Sequence, residues 1–430
     1  MLKSITQTLW SVALWVLLGT GLCLTLRTRG DALRHLGAAF RPELGAARRG
    51  GIRPVQCLCT ALATTVGTGN IAGTAVALTT GGPGALVWMW ISAAAGCAVK
   101  YAECALAVTS RRGLEGKVLG GPMLTLSRLS RPMGQVYALL MVGYTLSAGP
   151  LAQSSAIASA ARELAAVPPL WTGLILAGAL LAVLSGGVGA VARLSTLLVP
   201  LMCGLYLLGG AAVLWNHPGQ IAPALAALLR SAFDLRSAGA GAFGHMVRVG
   251  VTRGCFSNDA GTGSAAFSAA QTSASPRHQG LVSASANLWD TGVICTVTAL
   301  SILVSGSLDS GLTGVALTMA AYRAGLGRWG PPLVGVCLIL FAFSTLPGLA
   351  FQGEQALAWL LGSWSGSRAY RVIFSSVAAV GCLFPAQSAL AGADLFNGLL
   401  VLVNIPSLWL LPIPGKNENN PCNRAHSVIR

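Results

Sequence analysis

The chain has 430 residues, of which 54% are hydrophobic and 9% are charged, and its mean hydropathy is +0.68. About a quarter of the residues in soluble proteins are charged, so this composition excludes a soluble domain and predicts an all-α polytopic membrane protein. The formal net charge of +16 would suit a nucleic-acid-binding surface, but the basic residues lie mostly in loops between apolar segments. No nucleic-acid partner is therefore expected.

Eleven stretches are long and apolar enough to cross roughly 30 Å of hydrocarbon as helices. In chain order they are residues 5–26, 54–80, 83–110, 133–161, 170–188, 194–215, 239–270, 280–306, 332–361, 370–390 and 393–412. The sequence therefore predicts about 11 transmembrane helices.

Two of these spans, the second and the seventh, contain runs that should interrupt a helix. Residues 66–73 include three glycines, a threonine and an asparagine, and residues 253–264 are similarly rich in glycine and polar residues. Each glycine weakens a helix interior by roughly 1 kcal/mol, and backbone freed in hydrocarbon persists only where protein or a water-filled cavity satisfies it. Paired interruptions of this kind point to the binding site of a transporter.

The position of the two interrupted spans predicts an inverted repeat. If the first span is set aside, each interrupted span opens a group of five, and an odd number of spans separates the two starts, so the groups run in opposite directions. The predicted units are 1–53, an extra helix with a basic loop; 54–216, the first five-helix repeat; 239–412, the second and inverted repeat; and 413–430, a polar tail.

The distribution of basic residues predicts the orientation in the membrane. Of the 28 Lys and Arg residues, most lie in alternate loops and in the C-terminal tail, and few lie in the loops on the opposite side. This positive-inside pattern places the N-terminus outside and the C-terminus in the cytoplasm, in the cell (inner) membrane. Residues 1–26 could instead be a signal peptide, but no small-x-small cleavage pattern follows them.

Other interpretations of the first run fit less well. Gly69 and Gly73 form a G-x-x-x-G pair, which packs helices closely in many membrane proteins. Gly67 and Gly69 also resemble part of a dinucleotide-binding fingerprint, but the G-x-G-x-x-G spacing and the preceding strand are missing. An intramembrane hydrolase would need a nucleophilic serine with a base such as His245, and no G-x-S-x-G elbow is present. A passive channel would show filter loops or rings of charge, and neither is found in the sequence.

The interrupted runs and their surroundings resemble the alanine or glycine:cation symporters, a family that moves a small amino acid with sodium. The resemblance covers roughly residues 5–412 and rests on TVGTGNIAG at 65–73, GGPGA at 81–85, WMW at 88–90, KYAE at 100–103, GGPM at 120–123, Gln153, RGCFSN at 253–258, DT at 290–291, CTVTAL at 295–300 and FAFST at 341–345. It implies a leucine-transporter-like fold, with one extra helix before a five-plus-five inverted repeat.

The resemblance implies a substrate pocket between the two interruptions. The amides around Thr68, Gly69 and Asn70 would bind the substrate carboxylate, because a half-helix amino terminus offers unpaired N–H groups and a positive dipole end. The remaining contacts implied by the family are Gln153 as a polar contact, Phe256 as an apolar wall, Thr345 facing the cavity and Leu349 over the substrate side chain.

The resemblance also implies two sodium positions, both built from oxygen atoms, which this hard cation prefers. The first would use the carbonyls of Ala63 and Val66 with the hydroxyls of Ser344 and Thr345. The second would use the Thr65 carbonyl, the Asn70 side-chain oxygen and the substrate carboxylate. Sharing a carboxylate between ion and substrate would couple their binding.

The sequence departs from the family pattern at three places. Most relatives carry Glu at the position of Asp259, many carry Trp at the position of Leu349, and residues 265–269 lack the usual Pro- and His-containing run. A smaller residue at 349 reshapes the apolar wall and bears on substrate size. Asp259 is also the candidate carboxylate for the alternative of proton coupling.

The sequence thus predicts a sodium-coupled symporter for a small neutral amino acid, alanine or glycine, rather than an enzyme. Its expected partners are that amino acid, sodium and membrane lipid; no organic cofactor is expected, and a monomer is the expected state. Acids within the spans, among them Asp290, should be paired or exposed to water, because a charge at a helix centre costs at least about 2.5 kcal/mol. Lys100 and Glu103, three residues apart, are predicted to pair on one helix face.

Overall fold

The computed structural model describes residues 2–40 and 53–414. These residues form a helical protein whose α-helices are α1 (Leu2–Arg27), α2 (Asp31–Arg34), α3 (Pro54–Thr65), α4 (Thr74–Gly81), α5 (Ala85–Ser110), α6 (Pro122–Ser127), α7 (Arg131–Thr145), α8 (Ala148–Ala165), α9 (Pro169–Ser185), α10 (Gly187–Asn216), α11 (Pro218–Phe233), α12 (Leu235–Asn258), α13 (Ser264–Ala269), α14 (Pro276–Asn287), α15 (Thr296–Val304), α16 (Gly314–Leu326), α17 (Gly330–Leu361), α18 (Ser367–Gly381) and α19 (Ala386–Leu410).

Shorter elements complete the described part of the chain. Two π-helical segments are Gly69–Gly73, which leads into α4, and Leu288–Cys295, which joins α14 to α15. Three 3-10 turns are Leu36–Phe40, Ser307–Ser310 and Gly327–Trp329. Strands β1 (Arg112–Leu114) and β2 (Lys117–Leu119) pair antiparallel, with Arg112 opposite Leu119.

The helices follow most of the predicted apolar stretches, with three differences. Helices α11 and α16 lie outside all the predicted stretches, and the predicted span 370–390 contains the end of α18 at Gly381 and the start of α19 at Ala386. The predicted span 133–161 is two helices, because α7 ends at Thr145 and α8 begins at Ala148. Pro150 has no N–H to donate to the Leu146 carbonyl, so an unbroken helix would lose that hydrogen bond.

Several helices are suited to a membrane. By length and composition, six helical runs in the described part of the chain could cross a bilayer, or seven if the bent pair α3 and α4 forms one span. The chain is therefore a multi-pass membrane protein. The predicted C-terminal tail lies largely outside the described residues, as does much of the predicted basic loop.

Helix α5 lies among other helices rather than at the surface. In its apolar window 83% of the residues are buried, and α1, α12 and α14 pack against it. Glycines on α12 permit a close approach: a Cβ at Gly250 would lie 2.4 Å from the Ala85 carbonyl oxygen, and one at Gly254 would lie 2.4 Å from Ser92 Oγ. Small residues bring helix backbones together in this way in membrane proteins, so α5 fixes the position of α12.

The extra N-terminal helix α1 is anchored to the last helix, α19. Trp10 Nε1 donates to the Asp394 carbonyl at 2.9 Å, and Trp409 Nε1 donates to Thr20 Oγ1 at 2.9 Å. Near the end of α19, the Arg27 guanidinium donates to the carbonyl of Trp409 at 3.0 Å. A cation at the C-terminal end of a helix is favourable because it compensates the helix dipole.

An ion pair ties the segment after α1 to α14. Asp31 accepts two hydrogen bonds from the Arg277 guanidinium, at 2.8 and 2.6 Å, and also pairs with His35. Burial raises the pKa of the Asp31 carboxyl, but the hydrogen bonds and charge of Arg277 outweigh it, so the pKa lies below its ordinary value. The carboxylate is therefore ionised throughout the physiological range.

Candidate functional site

The first predicted interruption is a bend between two helical segments. Helix α3 ends at Thr65, and the helix that resumes at Gly69 is bent by 54° from it. The Val66 N–H still donates to the Leu62 carbonyl at 2.7 Å, but its extended backbone angles, φ −75° and ψ 103°, end the helix there. The N–H of Gly67 donates to Asn70 Oδ1 at 3.0 Å.

This side-chain hydrogen bond frees a main-chain acceptor. In a continuous helix the N–H of Gly67 would donate to the Ala63 carbonyl, but Asn70 accepts it instead. The Thr345 hydroxyl donates to the Ala63 carbonyl at 3.0 Å, and the Ser344 hydroxyl lies 3.5 Å from the same oxygen. Three of the four groups predicted for the first sodium position therefore meet.

Val66, the fourth predicted ligand of that position, is the first residue beyond α3 and is fully buried. Its extended conformation removes its carbonyl from the hydrogen-bonding series of α3. The predicted ligand set would consist of two main-chain carbonyls and two hydroxyls, all neutral oxygens. Such donors suit a hard cation and not a soft metal that prefers sulfur.

The second interruption leaves helical structure altogether. Helix α12 ends at Asn258 and α13 begins at Ser264. Asp259, Gly261 and Gly263 between them have positive φ values of 51°, 92° and 82°. This left-handed region is accessible to glycine but unfavourable for Asp259, which must be held there by its surroundings.

Other helices hold this loop in place. Tyr137 on α7 donates its hydroxyl to the Thr262 carbonyl at 2.6 Å, and Asn404 on α19 donates to the Gly261 carbonyl at 3.0 Å. Within the loop, the Thr262 hydroxyl donates to the Asp259 carboxylate at 2.7 Å. Side chains from α7 and α19, which are distant in sequence, thus donate hydrogen bonds to main-chain carbonyls of the loop.

A buried aspartate joins the two interruptions. Asp290 accepts from the Asn70 amide at 2.5 Å and from the Ser257 hydroxyl at 2.7 Å, and Thr291 donates to it at 2.9 Å. Asn70 belongs to the first interruption, and Ser257 is next to the last residue of α12. The sequence predicted only that Asp290 would be paired or exposed to water, and it did not show that this residue links the two interruptions.

A cavity of about 50 Å³ lies between the interruptions. Six of the seven residues predicted to contact substrate line it: Thr68, Gly69, Gln153, Phe256, Thr345 and Leu349. The other lining residues are Thr64, Thr65, Gly67, Met141, Tyr144, Asp259, Thr262, Ser264, Gln352, Asn397 and Leu400. Asn70, the seventh, is fully buried and does not line the cavity. Its side chain supports the wall through Gly67 and Asp290 rather than facing the cavity.

Glycines at the first interruption let side chains from other helices approach the backbone closely. A Cβ on Gly69 would lie 3.4 Å from Phe256 Cδ1, and a Cβ on Gly67 would lie 3.4 Å from Thr345 Oγ1. Thr68 and Gly69 begin the second helical segment, where N–H groups have no partner within their own helix. Both residues line the cavity, and the positive dipole end of a helix at such a position favours a bound carboxylate.

Several polar lining residues were not assigned as contacts from the sequence, among them Thr262, Ser264, Gln352 and Asn397. Thr262 and Ser264 lie within the recognised run, and their hydroxyls donate to Asp259. Gln352 lies one helical turn after the predicted contact Leu349, so helical spacing could have indicated it. Asn397 had no sequence signal, because its place in the cavity depends on how α19 packs.

The predicted pairing of Lys100 with Glu103 is wrong. Within residues 2–40 and 53–414, the two side chains form no ion pair. Glu103 instead accepts from Asn404 at 2.6 Å, and Lys100 donates to the Asn258 carbonyl and to Thr65 Oγ1. Spacing along one helix allows the pair, but partners on other helices replace it.

The second predicted sodium position has different surroundings from the first. The Asn70 oxygen already accepts from Gly67, and the Thr65 hydroxyl accepts from Lys100 at 3.3 Å. An ammonium group therefore lies beside this position.

Comparisons with known proteins cover nearly the whole chain. Residues 1–418 match a family model described as the sodium:alanine symporter family. The sodium/alanine symporter AgcS of Methanococcus maripaludis is 37% identical over 430 residues, covering 96% of this chain and 94% of that protein. The probable sodium/glutamine symporter GlnT of Bacillus subtilis is 36% identical over 414 residues, covering 94% of this chain and 86% of that protein.

Two solved structures share the fold. A substrate-bound, outward-open Na+-coupled sialic acid symporter has a TM-score of 0.61 at 12% identity and covers 94% of this chain and 87% of its own. MhsT in complex with L-phenylalanine has a TM-score of 0.53 at 17% identity and covers 85% of this chain and 97% of its own. At these identities the likeness concerns the fold, which is leucine-transporter-like.

Proposed function

The chain belongs to the sodium:alanine symporter family, and from this premise we propose that it moves a small neutral amino acid, alanine or glycine, together with sodium. The observation that carries the choice of substrate is the cavity of about 50 Å³ between the two interruptions. A space of this size suits a short side chain.

The substrate would bind as a zwitterion. Its carboxylate would lie at the first-turn amides of Thr68 and Gly69, and its side chain would contact Phe256 and Leu349. Gln153 has a buried oxygen, Oε1, without a partner among the described residues, and it lines the same cavity. The substrate ammonium would satisfy this acceptor, because a buried polar group left unpaired costs roughly 1–3 kcal/mol.

Sodium would bind next to the substrate at the first predicted position. Thr345 lines the cavity and also contacts the Ala63 carbonyl, so one side chain belongs to both the substrate pocket and the sodium position. A change in the rotamer of Thr345 on ion binding would alter the cavity wall. This shared residue supports energetic coupling between ion and solute.

Transport would proceed by alternating access of two five-helix groups, residues 54–216 and 239–412. We propose that the 11 predicted spans form this arrangement, with interrupted helices at equivalent places in the two repeats. The bend of 54° at the first interruption and the non-helical loop at the second support it. The proposed location is the cell membrane, with the N-terminus outside and the C-terminus in the cytoplasm.

Uptake into proteoliposomes tests the proposal. Purified protein should accumulate radiolabelled alanine or glycine when sodium is high outside, and should accumulate much less when potassium replaces sodium. Glutamine provides a comparison with a larger substrate and should be taken up less well. Uptake that ignores sodium but follows an imposed pH gradient would favour the proton-coupled alternative, for which Asp259 in the cavity wall is the candidate carboxylate.

A further inference from the structure

A buried lysine connects the ends of the two interrupted helices. Lys100 on α5 is fully buried. Its Nζ donates to the Asn258 carbonyl oxygen at 2.6 Å and to Thr65 Oγ1 at 3.3 Å. Thr65 is the last residue of α3, and Asn258 is the last residue of α12. One ammonium therefore bridges both interruptions.

No carboxylate in the described part of the chain forms an ion pair with this ammonium. The charge of Lys100 acts from beyond ion-pair distance on the buried acids Glu103 and Asp290 and on the half-buried Asp259. A buried ammonium is costly unless it is compensated. The C-terminal end of a helix carries roughly half a negative charge, so the two helix ends together match the charge of one ammonium.

The bridge lies behind the substrate cavity. The same two chain segments meet in the cavity wall, where a Cβ on Gly69 would be 3.4 Å from Phe256. A shift of α12 relative to α3 would change the distance between the carboxylate-binding amides and the opposite apolar wall. Lys100 limits that shift because its donors contact both helix ends.

We propose that Lys100 is a positioning residue for transport, whose ammonium acts as a fixed internal cation between the ends of α3 and α12. This inference rests on the proposed function. The ammonium takes up the region beside Thr65, where a second sodium ion would be repelled. The coupling sodium then binds at the position formed by Ala63, Val66, Ser344 and Thr345.

The test compares Lys100→Met and Lys100→Arg with Lys117→Met, which removes an exposed ammonium that lies over Trp364. For each variant, the KM for alanine and the sodium dependence of uptake are measured. Lys100→Met should raise the KM about 10- to 100-fold, because it leaves a buried carbonyl unpaired. Its sodium dependence should become steeper, since sodium can enter the vacated cation position.

Lys100→Arg keeps the charge and should keep the wild-type steepness of the sodium curve. Lys117→Met should match the wild type in both measurements. Wild-type kinetics in Lys100→Met would overturn the inference. So would equal loss of uptake at every sodium concentration in both Lys100 variants, because a structural role alone would not distinguish Arg from Met.

If Lys100→Met does not elute as a folded protein, the Arg variant decides the question. A wild-type sodium curve supports the charge role, and inactive folded Lys100→Arg contradicts it. If uptake by the wild-type protein did not depend on sodium, the proposed function itself would be overturned. In that case, alanine binding to purified wild type and Lys100→Met still measures whether the lysine positions the cavity.

Discussion

The two interruptions achieve a similar opening of the backbone in different ways. At the first, one local side chain, Asn70, accepts the N–H that would otherwise continue α3, and helical structure resumes at Gly69. At the second, the chain is non-helical between Asn258 and Ser264, and its carbonyls are satisfied by side chains from α7 and α19. The first interruption is therefore encoded locally, whereas the second depends on tertiary packing.

The largest effect is expected from Asn70→Ala, which removes the side chain that stabilises the first interruption. Removing this amide leaves the N–H of Gly67 and an oxygen of Asp290 without their partners, and each buried unpaired group costs roughly 1–3 kcal/mol. Alanine uptake should fall to background while the protein still inserts into the membrane. Cys57→Ala, which shortens a buried side chain outside the cavity, is the control and should transport normally. Normal uptake by Asn70→Ala would refute the local account.

Gly263→Ala tests the second interruption. Gly263 has φ +82°, and a Cβ there would lie 2.3 Å from Pro122 Cγ, so we expect a loss of about 1–3 kcal/mol in the free energy of unfolding. Gly187 is the control because it also has a positive φ, +66°, with nothing within 4 Å of a Cβ. Gly187→Ala should cost only the backbone strain. Thermal unfolding of the purified variants measures both, and equal losses would argue against tight packing around the loop.

Thr345→Val tests the residue that belongs to both the proposed sodium position and the substrate pocket. The substitution keeps the side-chain shape but removes the hydroxyl that contacts the Ala63 carbonyl. The sodium concentration giving half-maximal uptake should rise about tenfold. Thr172→Val removes a hydroxyl that bonds only within its own helix region, to the Pro168 carbonyl, and should leave the sodium curve unchanged. An unchanged curve in Thr345→Val would argue against the first sodium position.

The smallest effect is expected away from both interruptions, at Asp31. Because Arg277 holds the pKa of Asp31 below its usual value, this pair stabilises the fold above the ordinary pKa near 3.8, and the contribution is lost as the pH falls through the lower folded value. Asp31→Asn should lower the thermal midpoint slightly at pH 5 and above, where the carboxylate is ionised, and the difference should narrow in stronger acid. Exposed Asp309→Asn is the control. A difference that grew as the pH fell below about 4 would contradict the assignment.

The contrast between the interruptions also explains what the sequence could predict. Gly67, Gly69 and Asn70 lie within four residues, so their effect on the helix is local and readable from the chain. The contact of Thr345 with Ala63 came from the family resemblance, since no spacing along the chain connects α17 with α3. Asn397 could not be assigned, because its location depends on the packing of α19 against the loop.

The error at Lys100 has the same physical origin. Its spacing from Glu103 satisfied the rule for neighbours on a helix surface, but both side chains are buried and face other helices. Asn404 and Asn258 supply partners that are distant in sequence. For buried polar residues, tertiary partners outweigh local spacing.

The central claim is that sodium and a small zwitterionic amino acid bind together between the two interruptions. Equilibrium binding of radiolabelled alanine to the purified protein, measured across a range of sodium concentrations, tests it most directly. The account predicts that the Kd for alanine falls as sodium rises and that Thr345→Val weakens this dependence. A Kd that stays constant from zero to saturating sodium would contradict it.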